Sequence, residues 1–507
     1  MGRLLQTTQP IDAVSSGVTR YTYDGTNNVT RTETKLSDSP LRYSIIDYTY
    51  NNRDRMVQTA SHVSDDVVNY TQYYYDVLGN ALRMYTGLTS PLTISGLDQV
   101  SGGSAGYSTT QYTYDKYGNP LTKTDPLGQS ESNTYDLTGA LLSHTDRNGN
   151  TATYTYDVRG RLLLQNVTTP SGEGNVTNSY TYAVNGRKLS ESNGVSTTNF
   201  VYDAQGRVVC ETAGNAVKAY AYNTGDLRTA FTLAVDGSQV LNNTYTYDAL
   251  GRLSQVSGSG VTAAYTYDAN GNQSLVTYGN GTTESFTFNK ANLATQVLNK
   301  KGSSVLSQYN YTYDLAGRQV TKTDHTGKAT SDTYDDLGQL TGESQLQNGG
   351  SLWQNTYQYD AAHNRASLAT QDGGTDYEYD LNNRMASINE GSDRVSYFYD
   401  ANGNLTRIAK DSQVEVPDSG AGVGAEPVGG DSPAGDANIS TTIQYQYDAL
   451  NRLTSMTGPE ADLSYTMPPM ACAPARHPKL RPPATSGTVT SWFANARELP
   501  FASMSGG

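Results

Sequence analysis

Large and small side chains alternate in short stretches along almost the whole chain, and each stretch ends in a turn signal. A representative stretch is Tyr245-Thr-Tyr247-Asp248-Ala-Leu-Gly251-Arg252. In an extended strand the two tyrosines point to one face and the threonine to the other, and both residue types favour strands. Asp-x-x-Gly is typical of a tight turn in which Asp accepts backbone N–H groups and Gly takes a positive φ. The pattern therefore predicts a β-hairpin.

The same stretch recurs in the general form Tyr-x-Tyr-Asp-x-x-Gly-(Arg/Asn). Eighteen copies align, and fourteen of their Asp-equivalent positions hold Asp; these positions are 24, 51, 76, 115, 136, 157, 183, 203, 223, 248, 268, 289, 314, 335, 360, 380, 400 and 448. Most copies are followed by a second reversal, as at Asp146-Arg-Asn148-Gly149. Two reversals per copy leave strands of about seven or eight residues. Helical periodicity is absent almost everywhere, so we predict an all-β meander.

The number of predicted strands limits how the sheet can close. About 36 strands spaced at about 4.8 Å make a sheet roughly 170 Å wide, and a twisted sheet of that width does not stay flat. If it closed in one turn, the ring would be about 55 Å across, too wide for side chains to fill. We therefore predict a coiled sheet around a hollow space. Tyrosine suits such a wall because its ring packs while its hydroxyl reaches polar partners.

The motif resembles the YD (Rhs) repeat of bacterial Rhs proteins, insecticidal-toxin shell subunits and teneurins. The resemblance covers about residues 1–466. It implies a β-shell, or β-cage, that encloses a toxic C-terminal domain or serves as a cell-surface scaffold. Many such proteins end the shell with an Asp-Pro-x-Gly plug motif before the toxin. Here Asp125-Pro126-Leu127-Gly128 lies in mid-chain and is better interpreted as a turn, and no plug or toxin follows residue 466.

Composition and charge exclude several classes of protein. Tyrosine accounts for 40 residues, glycine for 49, and the aliphatic content is low, which disfavours an ordinary α/β enzyme. The net charge of −14 is spread along the chain, so nucleic acid is not expected as a partner. Two cysteines cannot form a disulfide framework. No apolar run is long enough to span a membrane, and the first residues do not predict a signal peptide.

Three segments depart from the repeat pattern. Residues 2–6 match 160–165 with one residue fewer, which predicts that the chain begins inside a repeat. Residues 416–438 are rich in Gly, Pro, Ala and acids, and we predict a flexible, solvated insertion rather than a functional lid. Residues 467–507 are rich in proline and basic. We predict a disordered tail that arose by a frameshift or an unrelated fusion; docking of Trp492-Phe493 on the shell is the alternative.

No catalytic, cofactor-binding or metal-binding residue is predicted. Gly102-Gly103-Ser104-Ala105-Gly106 fits a nucleophile elbow only in its letters, because a Gly/Ser-rich loop and a strand flank it. The segments 268–272 and 400–404 mimic the start of a calcium loop but lack the required Gly and Glu positions, so we interpret them as hairpin turns. The five histidines have no ligand spacing; they are at positions 62, 144, 325, 363 and 477.

We therefore predict a non-catalytic shell segment of a bacterial Rhs-like, polymorphic-toxin-type protein that is secreted or displayed on the cell surface. Its expected partners are an encapsulated toxin domain or other shell segments. Two alternatives remain open: a module that binds cell-surface carbohydrate through exposed tyrosines, and, less favoured, a glycan-active enzyme with an Asp/Glu pair.

Overall fold

The computed structural model describes residues 3–12, 15–103, 106–172, 174–412, 439–458 and 461–464. They belong to one compact unit, Met1–Ala471, and the second unit, Cys472–Gly507, lies outside them. The described residues form strands and turns and no helix. The predicted insertion at 416–438 and tail at 467–507 lie outside the described residues.

The strands, in chain order, are β1 Gln6–Pro10, β2 Ser16–Tyr23, β3 Val29–Asp38, β4 Leu41–Tyr50, β5 Met56–His62, β6 Val68–Tyr75, β7 Ala81–Leu88, β8 Leu92–Gly96, β9 Gln99–Gly102, β10 Ser108–Tyr114, β11 Pro120–Thr124, β12 Ser130–Tyr135, β13 Leu141–Thr145, β14 Thr151–Tyr156, β15 Leu162–Thr168, β16 Val176–Tyr182, β17 Lys188–Ser192, β18 Thr197–Tyr202, β19 Val208–Ala213, β20 Ala216–Tyr222, β21 Arg228–Val235, β22 Ser238–Tyr247, β23 Leu253–Gly258, β24 Val261–Tyr267, β25 Gln273–Tyr278, β26 Thr282–Phe288, β27 Ala294–Lys301, β28 Ser304–Tyr313, β29 Gln319–Asp324, β30 Lys328–Tyr334, β31 Leu340–Gln347, β32 Gly350–Tyr359, β33 Arg365–Ala369, β34 Gly374–Tyr379, β35 Met385–Glu390, β36 Asp393–Tyr399, β37 Leu405–Ser412, β38 Ile439–Tyr447, β39 Leu453–Gly458 and β40 Ala461–Ser464.

These strands form one continuous antiparallel meander. Thirty-eight of them make a single sheet in which each strand pairs with its neighbours in sequence. The exception is the hairpin β8–β9, a separate two-stranded sheet inserted between β7 and β10, which pair directly with each other. This insertion accounts for the long spacing before the copy at Asp115. The ladder likewise continues across the undescribed residues 413–438, because β37 pairs with β38.

The two faces of the sheet differ as the motif predicts. In β2 the tyrosines Tyr21 and Tyr23 are half-buried, whereas Thr22 between them is exposed. On the threonine face, hydroxyl groups pair across the hairpin, as between Thr113 and Thr122 at 2.6 Å. The burial of one face and not the other reflects the two-residue period of a strand.

Every motif copy ends in the same five-residue turn, which we call a motif turn. In the copy at Asp248, the backbone N–H of Asp248 donates to the carbonyl of Arg252, and the N–H of Gly251 donates to the carbonyl of Asp248. The Asp248 carboxylate accepts the N–H groups of Leu250 and Arg252 at 2.9 Å. Gly251 has φ 78°. Both roles predicted from Asp-x-x-Gly, N–H acceptance and positive φ, are confirmed.

The reversals at the opposite end of the strands, which we call return turns, make contact with the motif turns of a later stretch of chain. Ser108 Oγ donates to the carbonyl of Leu381 at 2.7 Å, and Asn382 Nδ2 donates to Asp125 Oδ2 at 2.7 Å. A side chain on Gly17 would clash with the carbonyl oxygen of Leu315. The sheet therefore coils. The motif turns of the second coil lie against the return turns of the first coil.

The coiled sheet has almost no packed apolar centre. Only twelve hydrophobic residues of the described part are buried; they are Ile11, Leu36, Ala60, Tyr85, Leu88, Leu92, Ala152, Val167, Val276, Tyr357, Ala409 and Ala449. They include two small clusters, one beside the β8–β9 hairpin and one between the coils. A solid sandwich of this length would bury far more. The all-β, coiled and hollow architecture predicted from the sequence is confirmed, and the described residues contain forty strands instead of about 36.

Candidate functional site: the repeat wall and the contact between its coils

In most copies the tyrosine before the motif turn links neighbouring hairpins through its hydroxyl group. Tyr267 Oη donates to the carbonyl of Leu253, two residues beyond the last ladder pair between β23 and β24. Neighbouring hairpins therefore separate near their motif turns, and the hydroxyl bridges the gap. Fifteen described tyrosines make this bond at 2.6–3.1 Å; they are Tyr23, Tyr50, Tyr75, Tyr114, Tyr135, Tyr156, Tyr182, Tyr202, Tyr222, Tyr247, Tyr267, Tyr313, Tyr334, Tyr359 and Tyr399.

The arginine at the end of a motif turn extends this link to the next copy. Arg318 Nε donates to Asp314 Oδ2 at 2.6 Å within its own turn. Its Nη1 donates to the carbonyl of Asp335 at 3.1 Å, and its guanidinium lies 4.7 Å from the ring centre of Tyr334. Copies that carry Asn at this position also bond to their own Asp, as Asn272 does with Asp268. This Asn can reach the next copy as well, since Asn272 Nδ2 donates to Asn292 Oδ1 at 2.8 Å.

The pKa values of the wall residues shift in the directions that these contacts require. Burial raises the pKa of Tyr399 to about 12, with a further contribution from the nearby Asp380 carboxylate. Burial raises the pKa of Tyr334 and Tyr359 in the same direction. The side-chain bond from Arg161 lowers the pKa of Asp157 to about 2. Burial raises the pKa of the motif aspartate Asp335, so the direction of the shift differs between copies. The raised pKa of the three tyrosines and the lowered pKa of Asp157 suit hydrogen-bonding roles rather than proton transfer.

Two copies of one turn sequence hold the coils together. Asp146-Arg-Asn148-Gly-Asn is a return turn of the first coil, and Asp400-Ala-Asn402-Gly-Asn is a motif turn of the second. Asn402 Nδ2 donates to Asp146 Oδ2 at 2.8 Å, and Asn148 Nδ2 donates to Asp400 Oδ2 at 2.9 Å. The backbone N–H of Arg147 donates to Asn402 Oδ1 at 3.0 Å, and the N–H of Asn402 donates to Asn148 Oδ1 at 3.3 Å. We call this reciprocal pair the turn clasp.

Further contacts continue the junction on both sides of the turn clasp. Ala449 of the second coil packs against Ala152 and Val167 of the first. Arg42 forms an ion pair with Asp336. A cavity of about 460 Å³ lies along the same junction, lined largely by polar side chains. The contact between coils is therefore continuous and mostly polar.

Several of the side chains considered as candidate calcium or metal ligands form hydrogen bonds within turns or with neighbouring strands. The carboxylates of Asp268 and Asp400 accept N–H groups of their own turns, and both segments are hairpin turns as predicted. Gly102 ends β9, while Ser104 and Ala105 lie outside the described residues. His62 contacts Asp47, and His144 contacts Asn133.

The described part of the chain contains neither a cluster of metal ligands nor a membrane-spanning helix. No group of three or more His, Cys, Asp or Glu residues there is placed to hold a metal ion. No described segment forms a helix with the length and apolar character needed to cross a bilayer.

Comparison with known families accounts for the motif. Residues 135–173 match the RHS repeat, and residues 229–369 match the teneurin YD-shell. These two segments of the chain are therefore similar to Rhs-type YD repeats. The two matched segments contain eight of the eighteen copies, and the resemblance stated from the motif is confirmed. No curated protein matches the chain.

Solved structures share the fold of this YD-repeat wall. A structure titled TcdB2-TccC3-Cdc42 superposes with a TM-score of 0.51 over 90% of this chain and 31% of the other, at 12% identity. TcdB2-TccC3 gives 0.50 over 90% and 30%, at 15% identity. The Tc holotoxin pore of Photorhabdus luminescens gives 0.50 over 89% and 29%, at 14% identity. This chain therefore spans less than a third of the length of these shells, and at these identities the likeness concerns the fold.

Proposed function

We propose that this chain is a non-catalytic shell segment whose repeats form the wall of a container. The observation that carries the proposal is the contact between the second coil and the first, because this contact completes a wall around an interior. The repeated hydroxyl and guanidinium links support a mechanical role, because each one joins a copy to its neighbour. In this proposal residues 1–466 form the shell segment, and residues 467–507 are not part of the wall.

The number of strands in one complete coil determines the width of the interior. The turns that meet in the turn clasp are separated by about 23 strands, which at about 4.8 Å each give a circumference of about 110 Å. The corresponding diameter is about 35 Å between backbones. Side chains from opposite walls do not meet across that distance, in agreement with the small number of buried residues.

The finer assignment follows from the relatives and belongs to the proposal. We infer that the chain comes from a bacterial, polymorphic-toxin-type protein that acts outside the cell, and that its wall shields a toxic polypeptide or joins other shell segments. The similar structures are those of TcdB2-TccC3 and the Tc holotoxin pore, which supports this assignment by analogy of fold.

Electron microscopy of the full chain tests the container. Class averages should show a ring with a central cavity roughly 25 Å wide, which is the 35 Å diameter less about 5 Å of side chain on each wall. A particle of uniform density would contradict the shell assignment.

A protease experiment tests enclosure separately. An unstructured peptide with a cleavage site, fused after Gly507, should be cut at least tenfold more slowly than the same peptide free in solution. Equal cleavage rates would contradict enclosure by this chain while leaving the shell architecture intact.

The glycan-binding alternative stays a prediction that no observation favours. Of the described aromatic residues, only Tyr117, Tyr278 and Phe398 are exposed, and they lie on three different hairpins. The motif tyrosines are half-buried and use their hydroxyl groups within the wall, so few ring faces remain for stacking on sugars. A glycan array with the full chain measures this directly, as does a turnover assay for the enzyme alternative.

A further inference from the structure

The contact between coils uses the row of turns at one end of the strands in each coil. The row of turns at the opposite end of the strands in each coil is uncovered. We call the motif turns at positions 24 to 289 the motif rim, and the return turns from 193–196 to 391–392 the return rim. Motif turns from Leu315 onward and return turns up to about residue 176 face each other across the junction. Within the described ranges, the motif rim and the return rim have no facing coil.

The motif rim carries a row of exposed apolar side chains. They occupy the first or second position after the Asp-equivalent residue, with the following exposed fractions: Val77 76%, Leu137 91%, Val158 104%, Val184 87% and Leu250 77%. In the second coil, Ala449 occupies the same position and is only 8% exposed, because it packs on the first coil. Single exposed apolar residues are common, but a row of them along one edge marks an interaction surface.

The return rim carries a matching row. Val195, Val240, Val261 and Leu306 lie in or beside its turns and are 86%, 55%, 66% and 53% exposed. The equivalent residue at the junction is Val167, which lies near the end of β15, beside a return turn. It packs against Ala449 and is 3% exposed. Each rim thus displays the apolar residues that the junction covers.

The polar half of the junction is also repeated on the two rims. On the motif rim, Asp268-Ala-Asn270-Gly-Asn repeats the sequence of the 400–404 turn. Asn292 accepts bonds from Asn270 and Asn272, as Asn451 does from Asn402 and Asn404. Asn270 therefore sits in the same local setting as Asn402, without the facing turn.

The complementary partner is a return turn with an Asp carboxylate. Three return turns have the Asp-x-x-Gly sequence, beginning at Asp125, Asp146 and Asp324. The first two accept an Asn side chain of the second coil through Oδ2. The third lies on the return rim, and the hydrogen bonds to its carboxylate come from Thr326 and Lys328 within its own turn.

We propose that copies of this chain associate head to tail, with the motif rim of one copy seated on the return rim of the next. The interface would repeat the junction between coils, with the apolar rows covered and the polar turns of each rim facing turns of the neighbouring copy. A second copy is the occupant because one chain carries both complementary rims. Such an interface is heterologous and does not close on itself after two copies. The proposal goes beyond the shell function and does not depend on any cargo.

Sedimentation velocity of the full chain from about 1 to 100 µM tests the association. Wild-type chain should form dimers and higher species as the concentration rises. Leu137→Glu/Val158→Glu/Val184→Glu damages the motif rim, and Val195→Glu/Val240→Glu/Val261→Glu damages the return rim. Each variant alone should remain monomeric, with self-association weakened at least tenfold. Mixed in equal amounts, they should form a 1:1 dimer and nothing larger, because one intact rim of each kind remains.

The control variant Leu142→Glu/Leu189→Glu/Val201→Glu changes exposed apolar residues within strands and should associate like wild type. Circular dichroism identifies any variant that fails to fold, and single substitutions at Val158 and Val195 then replace the triple changes. Wild-type chain that stays monomeric at 100 µM would overturn the proposal. So would association that survives in both rim variants, because another surface such as the edge strand β1 would then be responsible.

Discussion

At the scale of single residues, the tyrosine before each motif turn contributes through its hydroxyl group as well as its ring. The acceptor carbonyl belongs to the preceding hairpin, beyond the end of the strand ladder, so no backbone N–H competes for it. One copy shows the natural absence of this bond: Phe288 occupies the tyrosine position of the copy at Asn289.

Tyr267 and Phe288 provide a matched pair of substitutions. Tyr267→Phe should lower the free energy of unfolding by about 1 kcal/mol, because it removes one hydrogen bond and leaves the Leu253 carbonyl unpaired. Phe288→Tyr should raise it by about 0.5 kcal/mol, because the carbonyl of Gln273 is in the equivalent position. Urea denaturation followed by circular dichroism measures both. A stabilising Tyr267→Phe would show that the ring alone matters.

A second prediction concerns the positive-φ position of the motif turn. His363 has φ 69° at a position where most copies have glycine. His363→Gly should stabilise the protein by about 0.5–1 kcal/mol, because a residue with a Cβ is strained there. The reverse change, Gly251→Ala at φ 78°, should destabilise it by about 1–2 kcal/mol. Thermal melting of both variants checks the opposite signs, and equal shifts would refute the argument.

At the scale of structural elements, two turns of the same sequence have different environments. Asn402 bonds across the junction to Asp146 and to the backbone of Arg147 and Asn148. Asn270 lies in the same turn sequence but bonds only within its own coil. A comparison of Asn402 with Asn270 therefore separates what the turn contributes to the free energy of unfolding from what the contact between coils contributes.

Asn402→Ala should therefore lower the free energy of unfolding by about 2–3 kcal/mol, since several partly buried partners lose their hydrogen bonds. Asn270→Ala, the matched control, should change it by less than about 0.5 kcal/mol. Limited proteolysis should show new cleavage near residues 146–150 only in the first variant. Equal effects in the two variants would mean that the turn clasp adds nothing beyond the turn itself.

The strands and turns could be predicted from the sequence, but the contact between the coils could not. Tyr-x-Tyr and Asp-x-x-Gly predict strand and turn because their causes are local, namely the period of a strand and the bonding of a turn. The partnership of Asn402 with Asp146 depends on how many strands complete one coil, and that number follows from twist and curvature. The shared Asp-x-Asn-Gly-Asn sequence at 146, 268 and 400 was the available signal, but two of the three were interpreted only as hairpin turns.

At the scale of the whole wall, the half-buried tyrosines determine the response to alkaline pH. Burial raises the pKa of many of them above the ordinary value of 10.0 in the folded chain, as for Tyr334, Tyr359 and Tyr399. Below pH 10 both states are protonated, and no stability is lost. Above pH 10 the unfolded chain releases protons that the folded chain retains, so the free energy of unfolding falls.

We expect cooperative unfolding between about pH 10 and pH 12, because many tyrosines contribute in the same direction. Tyrosinate absorbance at 295 nm and circular dichroism should change together in that range. Tyrosines that titrate near pH 10 while the chain stays folded would contradict the raised pKa values.

The offset between facing turns limits how a gene for such a wall can change length. Insertion or loss of one complete repeat between residues 146 and 400 would leave each hairpin locally intact but would move Asn402 to a different counterpart. Every other pair of facing turns that spans the changed repeat would slip by the same step. Such a duplication is therefore expected to survive only when the new pairs of turns are also compatible.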